Sequence, residues 1–334
     1  MEKESVVLKT VLIPPILAWN MLKQLPQQIA SQFAKNGYKV YFCENPDNGY
    51  SITEVEPNLF VYGNAKLFLK EFREKNIKID ILYTTWAKTF DWVDLVDPKV
   101  TIYHSCDSFE DWKIYEKDMM NYSDIVCCTS EYIYNMRKSN HKNVHLIRNG
   151  CNESFIDAEW TLPDEIKFLK PPLFTFAGAC ANWVNTFVLK KIAEDYVTIF
   201  LGSPFGKEIP TNLFNLGVKQ HDDLIHYYNA SDICLLPFNP KLEVTQAACP
   251  IKLYEYLSCG KPVLSTSWEE TELEELKDVV FTAKSNSDYI ELAHELAKLT
   301  LEEKQFIDIK ARAIARNNTW EKKFEQMEML INNL

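Results

Sequence analysis

The sequence predicts an α/β protein of two domains, each built on a doubly wound parallel sheet. Short apolar or β-branched runs alternate with longer helical patterns along almost the whole chain, which is typical of βαβ units. The chain has 334 residues, more than one ordinary core accommodates, so two domains of roughly 150 residues each are expected. The alternation pauses once, at Asp157–Pro172, where acidic residues and three prolines indicate a linker.

The first domain, residues 1–158, is defined by six buried strands. Each is followed by ten or more residues in which a helix fits, as the crossovers of a parallel sheet require. The predicted strands are Val6–Ile13, Lys39–Cys43, Ile79–Tyr83, Val100–Tyr103, Ile125–Cys128 and Val144–Ile147.

The second domain, residues 159–316, repeats this pattern. Its predicted strands are Leu173–Ala177, Thr198–Leu201, Ile233–Pro237, Pro262–Ser265 and Val279–Thr282. Helices are predicted at Asn185–Asp195, His221–Asn229, Ile251–Ser258, Ser287–Ala297 and Glu302–Ala315. Residues 317–334 have an amphipathic pattern and are expected to form a helix that packs back on the first domain. Doubly wound sheets bind ligands at the carboxyl ends of their strands, so we expect these ends to face each other across a cleft.

Composition and charge exclude several classes of protein. Apolar residues make up 46% and charged residues 25%, a balance typical of folded globular chains. The net charge of −11 disfavours DNA or RNA as a partner, although a local basic patch is compatible with an acidic total. The charged N-terminus, Lys9 and Pro14-Pro15 argue against a signal peptide or a membrane span, so any membrane contact is expected to be peripheral.

The nine cysteines, an odd number without a C-x-x-C pair, indicate a reducing cytoplasm rather than a disulfide framework. Most lie in apolar runs such as Ile125–Cys128, where a thiol behaves as a small buried hydrophobe. The six histidines form no metal-ligand spacing with them, so no metal site is predicted.

The segment Pro250-Ile-Lys-Leu-Tyr-Glu-Tyr-Leu-Ser-Cys-Gly-Lys-Pro-Val-Leu-Ser-Thr266 carries the clearest chemistry. A helix begins just after Pro250 and ends at Gly260, and its free N-terminal amides form an anion site. Lys252 places a positive charge in the first turn, where the helix dipole disfavours it unless a phosphate is present. Glu255, one turn further, is suited to accept two ribose hydroxyls. The residues alone equally allow a surface Lys252 and a solvated Glu255.

This segment resembles the donor-binding segment of retaining GT-B glycosyltransferases of family 4, especially the subgroup of teichuronic-acid-type transferases. Four further segments resemble the family in the same order along the chain. They are Trp19 with Leu25–Ala30, Val144–Phe155, Phe176–Trp183 and Tyr228–Phe238. The resemblance implies two Rossmann-like domains, a nucleotide-sugar donor that is a substrate, and no cofactor.

The resemblance assigns donor-site roles to residues of the second domain. Glu255 would bind the ribose, and the backbone of Pro250, Ile251 and Lys252 would lie against the diphosphate, with Lys252 stabilising the leaving group. Gly178 and Asn182 follow the first strand of this domain, and Asn182 and Asn185 are candidates either for phosphate binding or for helix capping. Gln220 precedes His221-Asp-Asp223, in a loop that meets the nucleotide base in the family; the acidic residues there also suit a helix start.

Two features of the family pattern are missing. The family usually has a second glutamate, contacting the donor sugar, where this chain has Ala247. Glu243 in the same loop is a candidate substitute, although a loop glutamate is often simply solvated. Many relatives also carry an arginine and a lysine after the first strand of the second domain, and Gly178–Asn185 contains neither. The charge of the diphosphate would therefore fall on Lys252 and backbone dipoles.

In the first domain, His104 follows a strand at the position where relatives often place a histidine that faces the donor sugar, and Asp107 resembles an acidic position of the subgroup. Such a pair can polarise or deprotonate a hydroxyl. The alternatives are that His104 is a near-core residue and that Asp107 caps the following helix. Thr85, Trp86 and Trp19 are candidates for the acceptor pocket, although core packing explains Trp86 equally well.

The resemblance implies a retaining, metal-independent transferase that moves a sugar, most readily from a UDP-sugar, to a hydroxyl of a glycan, wall-polymer or lipid-linked intermediate. Three alternatives stay open: a transferase acting on a modified nucleic-acid base, a nucleotide-sugar epimerase or hydrolase, and a non-catalytic nucleotide-sugar-binding partner.

Overall fold

The computed structural model describes residues 9–334, which form two compact units. The first unit ends at Arg148 and regains the C-terminal Trp320–Leu334, and the second unit is Asn149–Thr319. The units therefore divide before the boundary expected after residue 158. Residues 6–8 of the expected strand Val6–Ile13 lie outside the described residues.

The sheet of the first unit has eight strands in the order β3-β4-β2-β1-β5-β6-β7-β8. All neighbours are parallel except β3 and β4. The chain adds strands on one side of β1 and then crosses to the other, so the topological switch point lies between β1 and β5. The strands are β1 Thr10–Ile13, β2 Lys39–Cys43, β3 Ile52–Glu56, β4 Leu59–Tyr62, β5 Ile81–Thr84, β6 Val100–Ser105, β7 Ile125–Cys128 and β8 Val144–Leu146.

The sheet of the second unit has six strands, all parallel, in the order β11-β10-β9-β12-β13-β14. This is the order of a doubly wound dinucleotide-binding sheet, with its switch point between β9 and β12. The strands are β9 Leu173–Ala177, β10 Val197–Leu201, β11 Phe214–Asn215, β12 Ile233–Leu236, β13 Val263–Thr266 and β14 Val280–Ala283.

Helices connect the strands as crossovers. In chain order they are α1 Leu25–Lys35, α2 Ala65–Glu74, α3 Trp92–Val96, α4 Lys113–Tyr122, α5 Glu131–Arg137, α6 Thr186–Asp195, α7 Leu224–Ala230, α8 Glu243–Ala247, α9 Ile251–Ser258, α10 Asn286–Leu296, α11 Leu301–Asn317 and α12 Trp320–Asn332. Every residue of β9, β12 and β13 is buried, as expected for strands covered on both faces.

The segment Asp157–Pro172 is part of the second unit, so its interpretation as a linker is wrong. It contains a short 3₁₀ turn, Asp164–Ile166, and Ile166 is 1% exposed in the core of that unit. Prolines and acidic residues give the segment an irregular backbone, and Ile166 with the partly buried Leu169 anchors it on the core.

The C-terminal helix α12 packs against α1 in the first unit. Trp320, Phe324 and Met327 are buried on the same face of α12, as their spacing along a helix allows. Phe324 packs edge to face against Phe33 of α1, with the two ring centroids 5.0 Å apart. The last helix thus completes the core of the unit in which the chain begins.

We expect Phe324→Ala to lower the free energy of unfolding by roughly 3–5 kcal/mol, because it removes a buried ring and leaves a cavity. Met329→Ala on the same helix is the control: Met329 is exposed, and its loss should cost less than about 0.5 kcal/mol. Urea denaturation followed by tryptophan fluorescence measures both. Equal effects of the two substitutions would contradict this packing of α12.

Candidate functional site

The candidate site lies where α9 begins. Pro250 occupies the N-cap of α9, and a proline side chain cannot accept a hydrogen bond from the first-turn amides. The helix runs through Ser258, and Gly260 follows with φ of +69° before the chain enters β13. The amides at the start of α9 are therefore suited to an anion.

Two side chains hold the loop that enters α9. Asn149 Nδ2 donates to the carbonyl of Cys249 at 2.5 Å. Trp268 Nε1 donates to the carbonyl of Ala248 at 3.1 Å. Because both carbonyls immediately precede Pro250, these bonds fix the position from which the helix starts.

Lys252 lies in the first turn of α9 between two aromatic rings. Its Nζ is 5.5 Å from the ring centroid of Phe176 and 5.3 Å from that of Phe238. Burial lowers the pKa of Lys252 to about 8, and the charge of Glu255 partly opposes that shift. Within residues 9–334, no carboxylate forms an ion pair with this ammonium group. Lys252 is thus a cation held in place without an anionic partner.

Gly178, just after β9, leaves the space that Lys252 occupies. A Cβ added at Gly178 would lie 2.5 Å from Lys252 Nζ, and its φ of +138° favours glycine. Gly202, after the adjacent β10, has φ of +158°, and a Cβ there would lie 2.0 Å from the carbonyl oxygen of Gly178. The two glycines therefore allow the lysine to reach the carboxyl end of the sheet.

Glu255 is 5% exposed and is held by two side chains. His221 Nε2 lies 2.7 Å from Glu255 Oε1, and Tyr228 Oη donates to Oε2 at 3.5 Å. The imidazole of His221 stacks on Phe155, with ring centroids 5.1 Å apart. The sequence indicated only that His221 opens a helix; its contact with Glu255 joins residues 34 apart along the chain, for which no local pattern gives a signal.

The other predicted donor residues lie on three separate segments of the second unit. Asn182 is exposed in the loop after β9, and Gln220 is exposed immediately before the 3₁₀ turn His221–Asp223. Glu243 is the first residue of α8 and Ala247, which is fully buried, is its last.

Asn185 occupies the N-cap position of α6, but its side chain does not cap the helix. Its Nδ2 instead donates to Asn286 Oδ1 at 2.8 Å, which joins the start of α6 to the start of α10. The amide is therefore engaged in a contact between two helices, neither in capping nor at the start of α9.

His104 lies in the core of the first unit, where it is 1% exposed. Its Nδ1 is 3.0 Å from Tyr83 Oη, and its Nε2 is 3.0 Å from the carbonyl of Ile147. The carbonyl can only accept, so Nε2 carries the proton and Nδ1 accepts from the tyrosine. Burial lowers the pKa of His104 to about 4. With both nitrogens engaged, His104 matches the near-core alternative, and we do not retain it as a catalytic group.

Asp107 follows β6 and does not cap the next helix, because α4 begins at Lys113 with Trp112 as its N-cap. Cys106 Sγ donates to Asp107 Oδ2 at 3.5 Å. Burial raises the pKa of Asp107 to about 6. This carboxyl can therefore exchange a proton close to neutral pH, and its catalytic role stays a prediction.

The three acceptor-side candidates lie near the ends of strands in the first unit. Thr85 is buried just after β5. Trp86 is half-buried, with its ring centroid 6.3 Å from that of Trp112. Trp19 packs its ring edge to face on Phe42, 5.2 Å between centroids. Two of the three thus present aromatic surface of the kind that sugar rings stack against.

The described residues were also compared with the requirements of a metal site, a membrane span and a disulfide framework. In residues 9–334, no three histidine, cysteine, aspartate or glutamate side chains come together as a metal site. The same part of the chain contains no helix both long and apolar enough to cross a membrane. No disulfide joins the nine cysteines, all of which lie in the described part of the chain, and eight of them are buried.

Two doubly wound parallel sheets in sequence are the architecture of the GT-B fold, and comparison with solved structures bears this out. Sucrose-phosphate synthase from Thermosynechococcus elongatus superposes with a TM-score of 0.73 at 15% identity, over 98% of this chain and 99% of that one. Anabaena HepE in complex with UDP and glucose gives a TM-score of 0.73 at 12% identity, over 98% and 100%. WaaG, a glycosyltransferase involved in lipopolysaccharide biosynthesis, gives 0.63 at 11%, over 96% and 99%. At these identities the likeness shows the fold.

Sequence comparison shows that part of the chain is similar to glycosyltransferases. Residues 186–329, which include the start of α9, match the family model described as "Glycosyl transferase-like". The chain is also 23% identical over 167 residues to the "Putative teichuronic acid biosynthesis glycosyltransferase TuaH" of Bacillus subtilis. That match covers 45% of this chain and 42% of TuaH, less than half the length of either. Fold and sequence together support a glycosyltransferase of the GT-B type.

We expect one lysine to titrate near pH 8 in this protein, because burial between two rings disfavours the charged form of Lys252. The ¹³Cε shifts of lysines in ¹³C-labelled protein, followed against pH, measure this, and Lys252→Met assigns the resonance. Gly178→Ala should move the titration back toward the ordinary value, because its Cβ displaces the ammonium. A Lys252 resonance that titrates near 10.4, as in a free lysine, would contradict the described environment.

Proposed function

We propose that this protein is a retaining glycosyltransferase that moves a sugar from a UDP-sugar to a hydroxyl acceptor. The observation that carries the proposal is Lys252, an ammonium group without an anionic partner in the described chain, held beside Gly178 at the start of α9. A helix start and a half-buried cation together favour a phosphate, since each supplies positive potential at the same place.

The donor would bind along the first turn of α9. Its diphosphate would lie against the amides that follow Pro250, within reach of Lys252, and its ribose would hydrogen-bond Glu255 one turn further on. UDP is the preferred nucleotide because HepE, which shares the fold, has been solved with UDP and with UDP-glucose. Asn182 and Gln220, both exposed, are proposed for the remaining contacts with phosphate and base.

Catalysis would be mainly electrostatic. The acceptor oxygen forms a bond to the anomeric carbon on the face from which the diphosphate leaves, and the bond between that carbon and the phosphate oxygen breaks with its electron pair. The acceptor proton passes to the departing diphosphate. Lys252 and the amides of α9 stabilise the negative charge that develops there, which is the task a metal ion performs in other transferases. We therefore propose that transfer is independent of a metal ion.

The acceptor is proposed to be a hydroxyl of a glycan, wall-polymer or lipid-linked intermediate. Two relatives, TuaH and WaaG, are named for teichuronic acid and lipopolysaccharide biosynthesis. Trp86 and Trp19 offer aromatic surface in the first unit, and Thr85 and Asp107 are proposed as polar groups on the acceptor side.

A second candidate is a protein that binds the donor without transferring its sugar. Ala247, fully buried, stands where relatives carry a glutamate that contacts the donor sugar, and His104 is buried with both nitrogens engaged. Incubation with UDP-[¹⁴C]glucose separates the two: slow release of labelled glucose without an acceptor supports a transferase, and binding without any turnover supports the second candidate.

We expect Lys252→Met and Glu255→Ala each to weaken UDP-glucose binding about 10- to 100-fold at pH 7, the range for hydrogen bonds to charged groups. Isothermal titration calorimetry measures the affinities. Lys190→Met and Glu291→Ala are the matched controls, because they remove the same charges from exposed positions on α6 and α10. They should leave the affinity for UDP-glucose unchanged. If UDP-glucose fails to bind the wild type, or if each variant binds as its control does, the proposal is wrong.

Donor affinity should depend on pH through Lys252. Its pKa is lowered to about 8 in the free protein, and a bound diphosphate favours the charged form. Affinity for UDP-glucose is therefore nearly constant below about pH 7, falls as pH rises through 8, and is about tenfold lower at pH 9. Calorimetry between pH 6.5 and 9 should show this decline in the wild type and a flat profile in Lys252→Met. A flat wild-type profile would remove Lys252 from the diphosphate site.

A further inference from the structure

His221 contacts the carboxylate that is proposed to bind the ribose. Its Nε2 lies 2.7 Å from Glu255 Oε1, and an ionised carboxylate only accepts, so Nε2 carries the proton and donates. Glu255 is 5% exposed, which makes a bond to its carboxylate stronger than one in water. The contact joins the 3₁₀ turn His221–Asp223, which precedes α7, to α9. Both α7 and α9 contribute residues to the core of the second unit.

The imidazole is itself held in one orientation. Phe155 is 3% exposed and stacks on it at 5.1 Å with an interplanar angle of 26°. On the other ring nitrogen, Nδ1 lies 3.5 Å from Asp222 Oδ1. The ring is stacked on one face and bonded to Glu255 through Nε2, which restricts its rotation, so the direction of the Nε2–H bond is set before any ligand arrives.

An ionised carboxylate offers about four acceptor positions. His221 occupies one on Oε1, and the hydroxyl of Tyr228 occupies one on Oε2 at 3.5 Å. The remaining two, one on each oxygen, match the paired hydroxyls of a ribose.

We propose that His221 is a positioning residue: it fixes the plane of the Glu255 carboxylate so that the site reads both hydroxyls of a ribose and discriminates against a deoxyribose. The inference rests on the proposed donor site. It adds to that site a histidine from the 3₁₀ turn before α7, and it predicts a preference for ribose over deoxyribose. Without the hydrogen bond from His221, the Glu255 side chain can rotate, and its carboxylate then accepts a well-aligned hydrogen bond from only one ribose hydroxyl.

Calorimetry with UDP and 2′-deoxy-UDP tests this inference. The wild type should bind UDP about tenfold or more tightly than 2′-deoxy-UDP, the loss expected for one hydrogen bond to a charged group. His221→Ala should weaken UDP about tenfold, change 2′-deoxy-UDP by less than about threefold, and so largely abolish the preference. His221→Gln keeps an N–H donor near the position of Nε2 and should restore much of it.

His294→Gln is the matched control, because His294 hydrogen-bonds Tyr196 and is not a partner of Glu255. It should leave both affinities unchanged. Circular dichroism and thermal unfolding establish that each variant is folded, and Phe155→Leu, which loosens the imidazole without removing it, should give an intermediate preference for UDP.

Three results would overturn the inference. In the first, UDP binds and Glu255→Ala weakens it, but His221→Ala keeps the preference for UDP; the donor site then stands and only the role of His221 falls. In the second, His221→Gln loses as much as His221→Ala, so the donated hydrogen bond is not what positions the carboxylate. In the third, UDP does not bind the folded wild type, and the proposed function falls with the inference.

Discussion

The proposed donor site depends on one lysine that carries its charge in a place unfavourable to a cation. Lys252 stands in the first turn of a helix, where the dipole is unfavourable, and between two aromatic rings that exclude water. Burial lowers its pKa to about 8, and the charge of Glu255, which forms no ion pair with Lys252 in residues 9–334, opposes that shift only in part. The attraction of the two ring faces lowers the cost of keeping the ammonium there. A bound diphosphate would offset the remaining free-energy cost of keeping the ammonium charged. We propose that this gain in free energy on binding is the source of the affinity for the donor.

The surrounding fold serves to hold this arrangement. Gly178 and Gly202 give the ammonium room at the carboxyl ends of β9 and β10, and Asn149 and Trp268 bind the two carbonyls before Pro250. Lys252 and Glu255 are three residues apart on α9, which places them on the same side of the helix. The proposed contacts with phosphate and ribose therefore come from one short helix, whose start is fixed by groups distant in the sequence.

Much of the fold could be predicted because buried parallel strands are continuous apolar runs. Lys39–Cys43, Ile125–Cys128, Leu173–Ala177 and the helix Ile251–Ser258 have the predicted bounds. The antiparallel strand β3 was not predicted because its residues are largely exposed at the sheet edge. Strand β11 was not predicted because it has only two residues. In the candidate site, residue type indicated Lys252 and Glu255. The contacts that define them, with Phe176, Phe238 and His221, join distant positions that no local pattern connects.

The most direct test of the account is an experimental structure of the protein with UDP bound. The account predicts phosphate oxygens within hydrogen-bond distance of Lys252 Nζ and of the first amides of α9, with the ribose hydroxyls on the Glu255 carboxylate. A nucleotide bound elsewhere, or one whose phosphates leave Lys252 between its two rings without a contact, would contradict it.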